Sequence, residues 1–456
     1  MFFDFKPLET ALREIPAVRH FGRIVAVEPA AIRVGGLSFH GHVGDQINIR
    51  KRDGEFISGE VIALFPNHVL IMPYGPSDGV AIGDAVELEK PVGIRPSDSW
   101  VGRIIDAFGQ PLDGRPLFRG EASVPLRRAP PKATKRRALG PRLNTSLAVF
   151  NTVLPIARGQ RIGIFAGSGV GKSSLLAEMA RGLESDIAVI ALIGERGREL
   201  REFTETVLGA EGMKRAIVIA ATSDQSPLVK RRAAWMAMAV AEYFQSRGRH
   251  VLLLMDSVTR FAEAHREVAL TAGEAPSLRA YPPSTANLIA GLAERAGPGP
   301  EGMGDITAIF SVLVAGSDME EPVADITRGV LDGHVVLDRE IAERGRFPAI
   351  DTNRSVSRSL PTIATAEENA LLDRARKIVS TYEKAAPMVQ TGLYAAGSDS
   401  EIDMAIDLWP KLDAFFARNI AEPTADSFAE LAKIVDPDTE IHQLFTKVET
   451  SQARLE

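Results

Sequence analysis

The sequence of 456 residues contains no cysteine. This absence excludes disulfide bonds, thiolate zinc sites and a thiol nucleophile, and it is compatible with a reducing bacterial cytosol. No apolar run approaches the ~20 residues that span a bilayer, and the first stretch, MFFDFKPLETALREI, lacks the pattern of a signal peptide. Neither charge sign dominates, because the formal net charge is -6. A dominant nucleic-acid-binding surface is therefore not expected, although a local basic patch could still bind.

The chain is long enough for two or three domains. Residues 1–17 predict a short amphipathic helix, with an apolar face at three- and four-residue spacing. That face consists of Phe5, Leu8, Leu12 and Ile15. Residues 18–92 contain short alternating or apolar runs separated by turn residues, which predict a small β-barrel or sandwich. The few aromatic residues of this region lie mostly inside apolar runs, which predicts packed rings rather than a nucleic-acid platform. They are Phe21, Phe39, Phe56, Phe65 and Tyr74.

Residues 93–360 alternate between apolar runs and helical stretches. The runs RIGIFA, DIAVIALIG, RAIVIAAT and HVLLLMD show no polar alternation, as expected of parallel strands buried on both faces. They predict a doubly wound α/β domain, and residues 361–456 predict a mainly helical domain. Within the second region, residues 127–142 are basic and contain prolines 130 and 131. We interpret this stretch as a solvated linker rather than a phosphate contact.

A glycine-rich turn, AGSGVGKSS, follows the run RIGIFA at residues 166–174. Such a turn directs backbone N–H groups toward phosphate oxygens at the start of the next helix, with Lys172 reaching the β- and γ-phosphates and Ser173 coordinating Mg²⁺. The alternative is a strand-to-helix turn that binds nothing. Ala166 stands where the strict P-loop pattern has glycine. The predicted nucleotide-binding residues of the turn are Gly167, Ser168, Gly169, Val170, Gly171, Lys172, Ser173 and Ser174.

Two carboxylates end apolar runs downstream. Asp256 closes HVLLLMD and is predicted to hold a Mg²⁺-bound water, although an aspartate there could instead cap the next helix. Glu195 closes the run after the P-loop helix, where a carboxylate can polarise the attacking water. Its alternative is a surface salt bridge with a neighbouring arginine. Arg196 and Arg260 are candidate γ-phosphate contacts, and both could equally form structural ion pairs.

The order of P-loop, strand-end glutamate and strand-end aspartate is that of the RecA-like ATPases. Further stretches make the resemblance more specific: GRIIDAFGQPLDG, GERGRE, LLLMDSVTRFAEAHREVAL, RAYPPS, LDGHVVLDR and FPAIDTNRSVSR. Together they resemble the ATPases of bacterial type III protein export, with the flagellar branch nearest. That family is similar to the catalytic subunits of rotary ATP synthases. The resemblance covers nearly the whole chain and implies a β-barrel, a RecA-like core and a C-terminal helical domain.

The resemblance also implies roles for individual residues. Lys172 matches the family's phosphate contact, and Ser173 matches its magnesium ligand. Glu195 matches the catalytic glutamate, and Asp256 matches the aspartate that holds a magnesium-bound water. Arg358, in SVSR, matches the arginine finger that reaches the γ-phosphate of a neighbouring subunit. The family usually stacks an aromatic residue on adenine, but this chain has Asn369 at the expected place. Base stacking is therefore expected either to come from Phe415 or Phe416 or to be weak, and both phenylalanines are otherwise good core candidates.

Cofactors, partners and location follow only from the resemblance. It implies ATP and Mg²⁺, a homo-oligomeric and most simply hexameric ring, and hydrolysis coupled to the release or unfolding of exported proteins. It further implies a helical regulator dimer at the N-terminal helix, a coiled-coil stalk in the ring, and contacts with the export gate and chaperones. The implied place is the cytoplasm, peripheral to the inner-membrane export apparatus.

Two alternatives remain at the level of the sequence. A catalytic subunit of a proton-translocating rotary ATPase would carry an acidic loop where this chain has AAGSDSEID. A Rho-type RNA motor would need a basic, aromatic-rich β domain. Neither expectation fits the residues as well as the export ATPase does.

Overall fold

The structure, a computed structural model, describes residues 18–90, 93–314, 319–419 and 424–436. The helix predicted over residues 1–17 lies outside these ranges. Contacts between residues divide the chain into two compact units. The first combines the N-terminal β-strands with Asp224–Arg231 and Glu263–Ser284, and the second contains the remaining described residues. The described helices include none that is both long and apolar enough to cross a membrane.

Six antiparallel strands of the first unit form a closed barrel, which confirms the predicted architecture of this region. They are β1 (His20–Val27), β2 (Ile32–Gly35), β3 (Gln46–Arg50), β4 (Phe56–Leu64), β5 (Val69–Pro73) and β6 (Ala85–Glu89). The order around the barrel is β1-β2-β5-β4-β3-β6. Small branched side chains such as Ile24, Val34 and Ile71 fill the interior. Closure pairs the strands on both sides and leaves no open sheet edge.

The expectation that the barrel phenylalanines are packed is wrong. Phe21, Phe39 and Phe56 are 56%, 91% and 62% exposed. Phe21 alternates with the buried Gly22 along β1 and therefore points outward. Residues 18–92 nevertheless carry nine acidic and seven basic side chains, so these rings do not lie in a basic surface. A surface of that charge does not favour a phosphate backbone.

A nine-stranded sheet forms the centre of the second unit. Its strands are β7 (Arg103–Ile105), β8 (Arg161–Ala166), β9 (Ile187–Glu195), β10 (Ala216–Thr222), β11 (Val251–Asp256), β12 (Gly297–Pro298), β13 (Asp305–Leu313), β14 (Gly333–Leu337) and β15 (Ile350–Ser357). The order is β15-β14-β8-β13-β11-β9-β10-β7, and β12 pairs with β13. The strands from β14 to β7 are parallel to one another, whereas β15 is antiparallel to β14. This confirms the predicted α/β core.

The described α-helices of four or more residues lie between residues 148 and 435. They are α1 (Ala148–Asn151), α2 (Lys172–Gly182), α3 (Gly197–Glu202), α4 (Gly209–Met213), α5 (Pro227–Ser246), α6 (Val258–Thr271), α7 (Ser284–Ala293), α8 (Pro322–Val330), α9 (Arg339–Glu343), α10 (Ala366–Gln390), α11 (Ser400–Phe416) and α12 (Thr424–Val435). The last three form the predicted helical region. Leu372 of α10 and Leu412 of α11 belong to the same buried cluster as Ile164 of β8. The C-terminal helices and the sheet therefore share one core.

The basic stretch at residues 127–142 is irregular apart from a short turn at Ala133–Lys135. At least four of its arginines are bound to the folded core, namely Arg128, Arg136, Arg137 and Arg142. Arg136 donates from Nη1 to the Ala296 carbonyl at 2.8 Å, and Arg137 pairs with Asp305 at 2.5 Å. The expectation of a solvated linker is wrong for these side chains, because the core presents carbonyl and carboxylate oxygens that need hydrogen-bond donors.

Candidate active site

The P-loop connects the carboxyl end of β8 with the start of α2. Gly169 and Gly171 have φ values of 77° and 84°, a region that favours glycine. Ala166, in contrast, is fully buried at the end of β8, and its carbonyl accepts from Val314 N at 3.1 Å. An alanine fits there because the residue is still part of the strand. The turn therefore keeps its shape without the first glycine of the strict pattern.

Lys172, at the start of α2, lies between two carboxylates. Its Nζ contacts Asp256 Oδ1 and lies 3.9 Å from Glu195 Oε1. The three side chains come from three different parts of the sequence. They meet because β9 and β11 are adjacent parallel strands whose carboxyl ends lie at the edge of the sheet where the P-loop begins. The described chain thus brings together the lysine and both carboxylates that were predicted from strand ends.

Ser311 is a member of this cluster that sequence reasoning missed. It is fully buried on β13, between β8 and β11, and its Oγ donates to Asp256 Oδ1 at 2.6 Å. The hydroxyl orients the Asp256 carboxylate from the side opposite to solvent. The only signal in the sequence is a single polar residue inside the apolar run AIFSVLV, which does not reveal its partner.

The environment of Glu195 favours its protonated form. Burial is the largest cause, followed by a hydrogen bond with the Glu199 carboxyl and by the negative charge of Asp256, and together they raise the pKa of Glu195 to about 7. The positive charge of Lys172 acts in the opposite direction. A carboxyl with a pKa near neutrality can exchange a proton with water close to the working pH.

The two arginines near Glu195 have different surroundings. Arg196 is 75% exposed on the side chain and pairs with Glu199 at 3.5 Å, which is the structural ion pair that the sequence left open. The aliphatic part of Arg260 packs on Gly194, where an added Cβ would lie 3.1 Å from Arg260 Cγ. Arg260 therefore lies beside the strand end that carries Glu195.

Arg358 lies at the opposite end of the sheet from the P-loop of its own chain. Its N–H donates to the Asp332 carbonyl at 3.0 Å, and Asp332 N donates to the Arg161 carbonyl at 2.8 Å. Arg161 begins β8, whereas the P-loop follows the last residue of that strand. At ~3.3 Å per residue, the strand separates the two by roughly 17 Å. The exposed Arg358 is thus remote from Lys172 of the same chain.

A cavity of about 500 Å³ opens beside the P-loop. Gly171 and Ser174 contribute to one wall, and Phe347 contributes to another. The Phe347 ring is 51% exposed and packs closely on the loop, since a Cβ added to Gly171 would lie 3.1 Å from Phe347 Cδ1. An exposed aromatic face next to a phosphate-binding turn is suited to stack on a base.

The expected base-stacking residues do not line this cavity. Phe415 and Phe416 are 2% and 1% exposed and belong to the core, with ring centroids 5.9 Å apart. Asn369 donates from Nδ2 to the carbonyls of Pro361 and Thr365, at 3.0 and 2.9 Å, and so supports the turn before α10. Phe347 was not predicted, although it begins the motif FPAIDTNRSVSR, which ends at Arg358.

No cluster of three or more histidines and acidic side chains that could hold a metal ion occurs among the described residues. A metal site at the P-loop would instead combine the Ser173 hydroxyl and Asp256 with oxygens of a bound phosphate. Mg²⁺ is commonly held in this way, through one or two protein oxygens, waters and substrate phosphates. The exposed hydroxyl at the start of α2 and the nearby carboxylate fit that donor set.

Comparisons with known proteins agree with this geometry. Residues 146–357 match the ATP synthase alpha/beta family, nucleotide-binding domain, and residues 364–433 match the type III secretion EscN ATPase C-terminal domain. The assembled ATPase EscN of the enteropathogenic E. coli type III secretion system superimposes with a TM-score of 0.84 at 34% identity. That match covers 91% of this chain and 100% of EscN.

Two relatives extend the match to almost the full length. The flagellum-specific ATP synthase of Caulobacter vibrioides is 43% identical over 95% of this chain and 100% of its own length. The flagellum-specific ATP synthase of Salmonella typhimurium is 39% identical over 91% of this chain and 93% of its own length. The resemblance to the export ATPases is thereby confirmed. The chain belongs to the flagellum-specific ATP synthase family, the flagellar branch of the ATPases of type III protein export.

Proposed function

We propose that this chain hydrolyses ATP at the P-loop and couples hydrolysis to protein export. The observation that carries the proposal is the position of Lys172, which contacts Asp256 and lies 3.9 Å from Glu195. One cation and two carboxylates at the mouth of a phosphate-binding turn are the groups that phosphoryl transfer to water requires. Family membership supports the same reading.

Lys172 and Asp256 exchange partners when substrate arrives. The lysine neutralises Asp256 through their direct contact, and the more negative β- and γ-phosphates of a bound nucleotide would draw it away. Ser311 then keeps the Asp256 carboxylate oriented toward the site, since its hydrogen bond does not involve the lysine. Mg²⁺, held by Ser173 and by Asp256 through water, would supply positive charge to the phosphate oxygens.

Glu195 accepts a hydrogen bond from the attacking water and so orients it. The backbone supports this position, because Ser223 N donates to the Glu195 carbonyl at 2.9 Å and fixes the strand end. Arg196 and Arg260 flank the carboxylate and are proposed to contact the γ-phosphate. Arg196 would have to leave its exposed pair with Glu199, an interaction of small energy.

Arg358 completes the site of a neighbouring subunit. Its position at the far end of the sheet supports this role, since it lies near the start of β8 and that strand extends about 17 Å before the P-loop begins. A head-to-tail ring, most simply a hexamer, brings such a residue to the next subunit's phosphates. EscN has been described as an assembled ATPase, and a second structure shows it with its central stalk EscO.

Partners and place follow from the same family. We propose that the ring surrounds a coiled-coil stalk, that a helical regulator dimer binds residues 1–17, and that the export gate, chaperones and exported proteins are further partners. The ring would act in the cytoplasm at the inner-membrane export apparatus.

The cavity beside the P-loop is proposed to hold the nucleoside. Phe347 would stack on the base, in place of Phe415. Its exposed ring, packed on the loop at Gly171, supports this assignment.

Glu195→Gln is expected to bind ATP within a few-fold of the parent chain but to lose about 10²- to 10⁴-fold in kcat, because the amide cannot accept a proton. Fluorescent-nucleotide binding and steady-state hydrolysis measure the two effects. Glu202→Gln, at an exposed position on α3, is the matched control and should hydrolyse normally. Full turnover by Glu195→Gln would contradict the assigned role.

Glu199→Gln is expected to move the acid limb of the pH–activity profile to lower pH. The ionised form of Glu195 is required, so kcat/KM should fall as the pH drops below about 7 in the parent chain. Replacing Glu199 removes a neighbouring acid and supplies an amide donor, which lowers the pKa of Glu195. An unchanged acid limb in this variant, measured across pH 5 to 9, would mean that another group controls the profile.

Mixing Arg358→Ala and Lys172→Ala chains tests whether the site is shared. Each variant alone should lose about 10³-fold or more in activity, as expected for the loss of an arginine finger or a P-loop cation. In an equal mixture about a quarter of the interfaces of a random ring would carry both intact residues. Hydrolysis should therefore recover toward that fraction. Absence of recovery at every mixing ratio, with rings confirmed by light scattering, would refute a finger acting between subunits.

Phe347→Ala is expected to raise the KM for ATP while leaving kcat nearly unchanged. Loss of base stacking removes about 1–3 kcal/mol, or roughly five- to 150-fold in affinity. Phe118→Ala, also an exposed phenylalanine, serves as the control. Equal KM values for the two variants would remove Phe347 from the base site.

A further inference from the structure

The nucleoside cavity contains one feature that phosphate binding and stacking do not explain. Among the described residues that line it, Glu178 is the only charged side chain. We propose that Glu178, with Asn419 beside it, accepts a hydrogen bond from the exocyclic amine of the base and makes this site selective for adenine over guanine nucleotides. The inference rests on the proposed binding of a nucleotide at the P-loop.

The position of Glu178 along α2 separates it from the phosphates. It follows Lys172 by six residues, which is about 9 Å along the helix axis. It also lies one turn beyond Ser174, so both side chains face the same cavity. A carboxylate beside the triphosphate would repel the phosphates. At the far end of the cavity, the same carboxylate would instead contact the base.

Three side chains hold the Glu178 carboxylate in place. Ser146 Oγ donates to Oε1 at 2.6 Å, Arg181 Nη2 donates to Oε2 at 2.7 Å, and the Asn419 side chain is a third hydrogen-bond partner. Burial by itself raises the pKa of Glu178, but these donors outweigh it and hold that pKa below the usual value. The group is therefore an ionised, acceptor-only carboxylate near neutral pH.

The remaining acceptor capacity of this carboxylate faces the cavity. Two carboxylate oxygens offer about four lone-pair sites, and the three partners leave about one unused. The side chain is 22% exposed, so the free site is accessible. Fixing the carboxylate in advance lowers the cost of recognising a ligand with it.

At position 6 of the ring the two purines present opposite groups to such an acceptor. Adenine carries an N6 amine donor where guanine carries the O6 acceptor. The amine can donate to Glu178, whereas O6 would face a negative oxygen without a proton between them. A binding site built for one hydrogen-bonding group discriminates strongly against a ligand that lacks it. The Asn419 amide can orient either its donor or its acceptor end toward the neighbouring ring nitrogen.

The test compares binding of ATP and GTP to the full chain, measured by titration with fluorescent analogues and by KM and kcat. The parent chain should favour ATP by tenfold or more. Glu178→Gln keeps the shape of the side chain but adds an amide donor, so the ratio should fall by about tenfold, in KM rather than in kcat. Glu184→Gln, at an exposed position just beyond α2, is the matched control and should keep the parent ratio.

A second measurement requires no variant. Purine riboside triphosphate lacks the exocyclic amine, and the parent chain should bind it about tenfold more weakly than ATP. Equal affinities, or an unchanged ATP-to-GTP ratio in Glu178→Gln, would overturn the inference. A change confined to the ratio of ATP to 2′-deoxy-ATP would overturn it too, because Glu178 would then contact the sugar.

Failure of the proposed function would give a different set of results from failure of the Glu178 assignment. If Lys172→Ala binds ATP as well as the parent chain does, the nucleotide is not at the P-loop and both proposals fall. Lys172→Ala could instead lose binding of every nucleotide while Glu178→Gln keeps the ATP-to-GTP ratio of the parent chain. In that case only the assignment of base selectivity fails.

Discussion

The ionic contact of Lys172 with Asp256, with Glu195 close by, is the interaction on which the rest of the site depends. Two carboxylates at the partly buried edge of a sheet repel each other, and burial alone already raises the pKa of Glu195. The positive charge of Lys172 offsets part of that cost. It can do so only because β8, β9 and β11 are parallel and end at one edge of the sheet. A nucleotide that takes the lysine away also changes the charge that both carboxylates experience.

The same sheet separates Arg358 from the P-loop of its own chain. β15 is antiparallel to β14, so Arg358, which follows it, lies at the edge where the parallel strands begin. The P-loop lies at the other edge. If Arg358 acts at a γ-phosphate, as proposed, that phosphate is bound by a neighbouring copy, and hydrolysis would then depend on assembly.

Recognition of the base is built from elements that are far apart in the sequence. One wall of the cavity comes from α2, another from the loop that carries Phe347, and a third from the residues that follow α11. The polar partners of Glu178 come from before α1, from α2 itself and from the end of α11. Such a carboxylate costs free energy to bury, and its donors offset that cost. In this proposal the first turn of α2, with Lys172, binds phosphate, and the second turn, with Glu178, selects the base.

The sequence by itself determined the features that depend on neighbouring residues. Buried parallel strands, the P-loop and the carboxylates Glu195 and Asp256 at strand ends could all be predicted, because run length, glycine spacing and the last polar residue of a run are local properties. Tertiary structure alone decided what lies opposite each side chain. It placed Phe415 in the core and Phe347 at the cavity, set Ser311 against Asp256, and turned the barrel phenylalanines outward. An apolar or polar side chain looks the same in the sequence whether it faces the core, a ligand or solvent, because that choice is made by packing between segments that are distant along the chain.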